Sequence, residues 1–350
     1  MKEKNTRILA IDPSHPETDK IIEAAEIIKA GGIVAFPTET VYGLGANALD
    51  DKAIEKIFLA KGRPQDNPLI VHINHISQLD DIVKDIPKHA FNIMERFWPG
   101  PLTLIFKKTS KIPHIITGGL STVAVRMPSH KIALELIKHS GLPIAAPSAN
   151  TSGKPSPTAS SHVIDDLSGK VDMIIEGGST GVGLESTVLD ISGDIPTILR
   201  PGGITLEDLL TVLSKVEYDS AIETNNTDLV PKSPGQKYKH YSPDAKMIVV
   251  KGDIDEIVDK TIGLCEEYEF KGMRVGIMAT KQTYHKYESE NILIVGDREH
   301  PETIAANFFG ALRKFDEVKV DIIIAEGIEE KGIGKAIMNR MKKAAGGNII

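Results

Sequence analysis

The chain reads as an α/β protein of two domains joined by a linker, and three observations carry that reading. Apolar runs of strand length alternate with segments whose apolar residues recur at helical spacing. Between about Ser214 and Asp244 the pattern lapses: residues 219–228 are polar, and Pro231, Pro234 and Pro243 exclude regular structure. Beyond that stretch, strands and helices alternate in the manner of a small doubly wound α/β domain. A length of 350 residues suits two domains, each with its own core.

Taken in order, residues 20–30 place Ile21, Ile22, Ala25 and Ile28 at helical spacing and stop at Gly31-Gly32. A buried strand is expected at 33–36, then the turn Pro37-Thr38-Glu39-Thr40. Asp50 caps a helix over about 51–61 that turns Ile54, Ile57 and Phe58 inward. Gly62 and Pro64 end it, so Lys61 and Arg63 project from its C-terminus. Residues 68–73 are strand-like, with His72 near the end. Helical pattern covers 76–97, broken near Pro87. Strands are expected at 102–107, 122–127 and 144–146, with a helix over 131–139. A polar turn from Ser148 to Ser156 precedes a helix near 159–167. Strands at 173–176, 186–190 and 197–199 and a helix over 206–213 follow. In the second domain, strands at 247–251, 274–278, 292–295 and 321–325 alternate with helices near 254–268, 301–315 and 334–344. The domains are placed at 1–214 and 245–350, with the linker at 215–244.

Composition narrows the function. The net charge of -7, with no positive excess in either domain, argues against a nucleic-acid carrier working through bulk electrostatics. Cys265 is the single cysteine, which excludes an intrachain disulfide and a cysteine-rich zinc site. No run approaches the ~20 apolar residues of a membrane span, and the N-terminus lacks an apolar signal core. A soluble, cytoplasmic protein is expected.

Familiar nucleotide motifs fail. Gly327 to Gly332 has the phosphate-loop spacing, but Ile333 follows where Lys and Ser or Thr are required. Gly43-Leu44-Gly45-Ala46-Asn47-Ala48 fits the dinucleotide fingerprint only loosely, its first glycine lying well past a strand end. The 11 histidines form no metal cluster of zinc spacing, and no metal ligands are assigned. Two polar loops remain, around Lys61/Arg63 and around Ser148–Ser156, offering cations, amides and hydroxyls of the kind that hold phosphate. Singly, each has an ordinary explanation. Lys61 and Arg63 suit a helix C-terminus, worth ~0.3–1 kcal/mol; His72 suits a half-buried strand, and Arg126, Ser186, Thr187 and Arg200 suit strand ends and turns.

Jointly they are more specific. Pro37-Thr38-Glu39-Thr40-Val41-Tyr42-Gly43-Leu44, Lys61-Gly62-Arg63-Pro64 and Asn67-Pro68-Leu69 resemble the opening of the YrdC-like family. The resemblance continues through Trp98-Pro99-Gly100-Pro101-Leu102-Thr103, Val125-Arg126-Met127-Pro128, Pro147-Ser148-Ala149-Asn150, Glu185-Ser186-Thr187-Val188 and Leu199-Arg200-Pro201-Gly202. With Ser233-Pro234-Gly235 and Lys239-His240-Tyr241-Ser242-Pro243, it extends to the long, two-domain form of that family. It is dense over residues 30–205 and at the linker; the C-terminal domain matches in size and α/β pattern.

The resemblance implies a YrdC-like twisted mixed sheet with helices, a linker, and a small Rossmann-like doubly wound domain. It implies formation of L-threonylcarbamoyl-adenylate and pyrophosphate from L-threonine, bicarbonate or CO2, and ATP. The product would feed a threonylcarbamoyltransferase machinery that modifies adenosine in tRNA, with no stable nucleic-acid binding and no membrane. By the same resemblance Thr40, His72, Arg126, Ala146 and Ser186 form the threonine site. Arg63, Asn67, Thr122, Ser148, Ser156, Arg200 and Tyr241 contact the nucleotide, and Lys61 neutralises phosphate or the carbamate, making Lys61 and Arg63 the catalytic cations. Mg2+ accompanies ATP, held by phosphates and water. The linker around Tyr241 is expected to act as a lid positioned by the C-terminal domain. The rival readings are a double-stranded RNA or tRNA binder without catalysis, and an enzyme of this fold making a different carbamoyl adenylate. The acidic charge counts against the first; the second is usually accompanied by zinc-finger and acylphosphatase-like regions that are missing here.

Overall fold

The computed structural model describes residues 4–222 and 240–350. They fall into two compact units: residues 4–152, 156–181 and 185–222 in the first, and 153–155, 182–184 and 240–350 in the second.

The first unit is built on a mixed sheet of 12 strands. Across it run Arg7–Ala10, Met173–Glu176, Val34–Phe36, Gly43–Asn47, Ile144–Ala145, Ile70–His72, Thr122–Arg126, Leu102–Lys108, Thr187–Asp190, Thr197–Arg200 and Glu217–Tyr218, with Val83–Lys84 beside Leu102–Lys108. Successive side chains of a strand face opposite sides, and here both sides are buried. Ile33, Ala35, Ile174 and Ala145 belong to one core; Val34, Phe36, Met173, Ile175 and Ile144 belong to the other. This explains the uninterrupted apolar runs, which would alternate with polar residues if one face met water.

The helix Asp51–Lys61 forms as its caps require. The Asp50 side chain accepts from the Lys52 and Ala53 amides, and Gly62 closes the C-terminus at φ 62°. Several segments depart from expectation: Arg7–Ala10 is a strand and His114–Thr117 a short helix where none was expected, and the helix expected over 206–213 spans only Leu206–Leu209. Gly43–Asn47, weighed above as a loose dinucleotide fingerprint, is a strand antiparallel to Val34–Phe36. A Cβ on Gly45 would lie 2.7 Å from the Phe36 ring and from Ile144, so this glycine serves packing. Residues 76–97 contain a short strand, Val83–Lys84, between Leu79–Ile82 and the helix Lys88–Phe97. Glu217–Tyr218, placed within the linker, pairs with Thr197–Arg200, followed by a 3-10 turn at Ser220–Ile222. Of the linker, residues 223–239 lie outside the described residues, and with them Ser233-Pro234-Gly235 and Lys239.

The second unit is a four-stranded parallel sheet in the order Lys246–Val250, Ile322–Glu326, Val275–Thr280, Ile292–Gly296. Helices Ile254–Phe270, Pro301–Val318 and Ile333–Ala344 connect and cover it, a doubly wound arrangement as expected. Among the described residues no helix is long and apolar enough to cross a membrane.

Candidate functional site

The first unit gathers its buried polar side chains at adjacent strand ends. Arg126 ends the strand Thr122–Arg126 and stands in register with His72 on one side and Thr103 on the other. Its guanidinium, 4% exposed, donates from Nη1 to Thr40 Oγ1 at 2.9 Å and from Nε to the Gly100 carbonyl at 3.2 Å. Nη2 lies 2.7 Å from Glu39 Oε1. That contact is an ion pair without good hydrogen-bond alignment: neither Arg126 Nη2 nor either Glu39 oxygen makes a well-aligned hydrogen bond among the described residues, although the Arg126 side chain and the Glu39 and Ser129 amides lie close enough to favour the carboxylate. Burial pushes the Glu39 carboxyl up, but the charge and proximity of Arg126 outweigh it and hold Glu39 below the ordinary carboxylate range. The result is a buried cation beside a partly buried anion.

Neighbouring groups extend the cluster. Thr38 and Thr40 share a hydroxyl contact at 2.9 Å. Ser186 exchanges a 2.7 Å hydrogen bond with Thr103, and Arg200 donates to the Ser186 hydroxyl at 3.1 Å and to its carbonyl at 3.0 Å. Ala146 carries no polar side chain; its amide donates to the Ile70 carbonyl, tying the 146–150 segment to the strand that ends at His72. Thr122 begins the Arg126 strand, four residues and about 13 Å away.

The two polar loops meet directly. Lys61 is 2% exposed and donates through Nζ to the carbonyls of Ser148 at 2.6 Å and Asn150 at 2.5 Å, so it is a buried clamp where a projecting cation was expected. Arg63 turns back onto the carbonyls of Asn67 and Pro68, the latter at 3.0 Å, which sets the shape of its own loop. Asn67 is buried, with Oδ1 lacking a partner among the described residues. Ser156 donates to Glu185 at 2.5 Å. Tyr241 belongs to the second unit, where it packs on Phe309 at 5.2 Å between ring centroids and under the Arg340 guanidinium. Thr103, Asn150 and Glu185 are buried and Glu39 is partly buried; these members of the networks received no role from the sequence, although each stands inside a motif.

His72 is enclosed, its Nδ1 3.2 Å from the Ile70 carbonyl. Burial, then the Arg126 charge, depress its pKa to about 3, with Glu39 pulling the other way. The folded protein therefore keeps His72 neutral, whereas the unfolded chain protonates it near 6.5. Its contribution to stability is complete above that value and is lost as pH falls toward 3. Lowering pH from 7 to 5 should cost about 2 kcal/mol from this group, read as a falling unfolding midpoint in calorimetry. His72→Gln should flatten that slope; an unchanged slope would place the titration elsewhere.

The chain is similar to known proteins over its whole length. Residues 26–202 match the Sua5/YciO/YrdC family, described as "Telomere recombination", and residues 204–346 match the family described as "Threonylcarbamoyl-AMP synthase, C-terminal domain". The chain is 50% identical to the threonylcarbamoyl-AMP synthase of Pyrococcus abyssi over 95% of both sequences. It is 49% identical to that of Bacillus subtilis over 100% of both. Among solved structures, Pyrococcus abyssi Sua5 complexed with L-threonine superposes with a TM-score of 0.94 at 49% identity, covering 99% of each chain.

Proposed function

The chain belongs to the Sua5/YciO/YrdC family, in the two-domain form of the threonylcarbamoyl-AMP synthases, and from that membership we propose the reaction and the roles of its residues. It is a nucleotidyltransferase that joins L-threonine, bicarbonate or CO2, and ATP into L-threonylcarbamoyl-adenylate, releasing pyrophosphate, for threonylcarbamoyl modification of tRNA. The observation that carries the reading is the Arg126–Glu39 pair, 2.7 Å apart, the guanidinium buried and the carboxylate 14% exposed, with no well-aligned hydrogen bond at Nη2 or at either carboxylate oxygen among the described residues. A free amino acid is the matching ligand: its carboxylate completes the guanidinium and its amine completes the carboxylate. Thr40 steadies Arg126 and His72 stands beside it as a neutral ring.

The amine adds to CO2 and gives up a proton, forming a carbamate. A carbamate oxygen then attacks the α-phosphorus and pyrophosphate departs. No protein nucleophile is needed, so the residues act by position and charge. Arg200, fixed on Ser186, is assigned to the phosphates, with Arg63, Asn67, Thr122, Ser148 and Ser156 forming the nucleotide wall. Lys61 holds the Ser148–Asn150 turn in place for it. Magnesium carried on the phosphates would supply charge neutralisation, and the Ser156–Glu185 oxygen pair is a donor set suited to so hard a cation.

Pyrophosphate release should require threonine and bicarbonate together; release that ignores threonine would sink the assignment. Arg200→Ala should raise the KM for ATP about tenfold and that for threonine by less, through the Ser186 hydroxyl that it holds. An equal rise in both would undo the division of the site into two halves.

A further inference from the structure

The four parallel strands of the second unit end side by side at Val250, Thr280, Gly296 and Glu326. Past those ends opens a cavity of about 430 Å³, lined by Lys251, Arg298, Gly327, Ile328, Glu329 and Glu330 among others. The chain visits the first, third and fourth positions of this sheet and then returns to the second. In open α/β sheets the crevice beyond the carboxyl ends, where the strand order reverses, is where ligands sit.

Behind the lining residue Arg298 lies a buried polar network. Glu326 is 1% exposed and accepts from Thr283 Oγ1 at 2.5 Å, Tyr287 Oη at 2.6 Å, Thr280 Oγ1 at 2.8 Å and Arg298 Nη2 at 2.8 Å. Arg298 also donates from Nε to Thr280 Oγ1 at 3.0 Å and from Nη1 to the Gly327 carbonyl at 2.9 Å. Apolar residues of similar volume would stabilise the domain at least as well as a buried ion pair does. What the network provides is an arginine locked in one orientation, with its charge balanced from behind and one N–H on each Nη left over.

Gly327 to Glu330 also line the cavity; they open the stretch Gly327-Ile328-Glu329-Glu330-Lys331-Gly332, set aside above because no lysine and hydroxyl follow it. It joins the strand Ile322–Glu326 to the helix Ile333–Ala344, which is the strand–loop–helix context of a phosphate-binding turn. A Cβ on Gly327 would lie 2.9 Å from the Val250 carbonyl. Among the described residues, the amides of Glu329 to Gly332 donate no hydrogen bond. Lys251 reaches Glu330 at 2.7 Å from a side chain 44% exposed, a contact weak enough to yield to a ligand.

We propose that this cavity is a second ligand site, taking a nucleoside monophosphate, and that it is independent of the threonine and ATP site. The phosphate rests on the spare N–H groups of Arg298, on Lys251 and on the loop amides. Glu329 and Glu330 at the rim accept from sugar hydroxyls and repel a longer phosphate chain. The volume falls within the roughly 300–1,000 Å³ of small-molecule sites.

The test uses the full chain labelled with nitrogen-15 and titrated with AMP, orthophosphate or adenosine. AMP should shift the amides of Gly327 to Gly332 and of Arg298 saturably below millimolar concentration. Orthophosphate should shift the same amides at higher concentration, and adenosine should leave them in place. Arg298→Lys should weaken AMP binding at this loop about tenfold, and Lys251→Ala should weaken it severalfold without altering threonine-dependent pyrophosphate release. AMP shifts confined to the first unit, or a loop untouched at millimolar AMP, would overturn the proposal. That mapping is made on the unmodified chain, so it decides between the outcomes even if Arg298→Lys fails to fold.

Discussion

Arg126→Ala should lower kcat/KM for threonine about a thousandfold, a loss of roughly 4 kcal/mol. Two effects combine. In the proposed site the carboxylate of threonine loses its guanidinium partner, and Glu39 is left as a largely buried charge without its counter-ion. Breaking one side of a buried pair typically costs ~3–5 kcal/mol of stability as well, so the unfolding midpoint should drop. The two effects separate in a double substitution. Adding Glu39→Gln to Arg126→Ala should restore much of the stability, because no charge is then stranded, while threonine use stays lost. Recovery of threonine use in the double variant would mean that Arg126 acts only as a counter-ion for Glu39.

Lys61→Met should have the next largest effect. The methionine keeps the apolar stem but leaves the Ser148 and Asn150 carbonyls, 2.6 and 2.5 Å from Nζ, without their charged donor. Losing the charged donor to one buried and one part-buried carbonyl should cost about 1–3 kcal/mol, visible in a denaturant titration. The Ser148–Asn150 turn should loosen and the KM for ATP should rise. Full stability with lost turnover would show instead that the ammonium is spent on substrate charge.

Local chemistry explains which parts of the fold could be read in advance. The helix Asp51–Lys61 announces itself through Asp50, Gly62 and its apolar spacing, and the strands with continuous apolar runs do the same. Gly43–Asn47 does not, because two glycines weaken any strand pattern and their reason lies in the Phe36 ring on the neighbouring strand. Glu217–Tyr218 has two residues at a sheet edge, too few to show a period.

The site divides similarly. Arg126, His72, Ser186 and Arg200 stand out as polar residues at strand ends within dense motifs. Glu39 reads as an ordinary acid in a polar turn, and only the fold reveals that it is enclosed beside Arg126. Lys61 reads as a helix-end cation, since nothing in its neighbourhood along the chain foretells the Ser148–Asn150 turn folding over it.

The rung formed by His72, Arg126 and Thr103 across three adjacent strands acts as a ruler. Ser186 immediately precedes the next strand over, Thr187–Asp190, whose Val188 pairs with Thr103. Strand spacing is fixed by backbone hydrogen bonds at about 4.8 Å, so three steps set a span of about 14 Å. That graduation is indifferent to loop sequence. A ligand anchored at both ends of this rung would have to match that span, and one of another length would need anchors moved by whole strands.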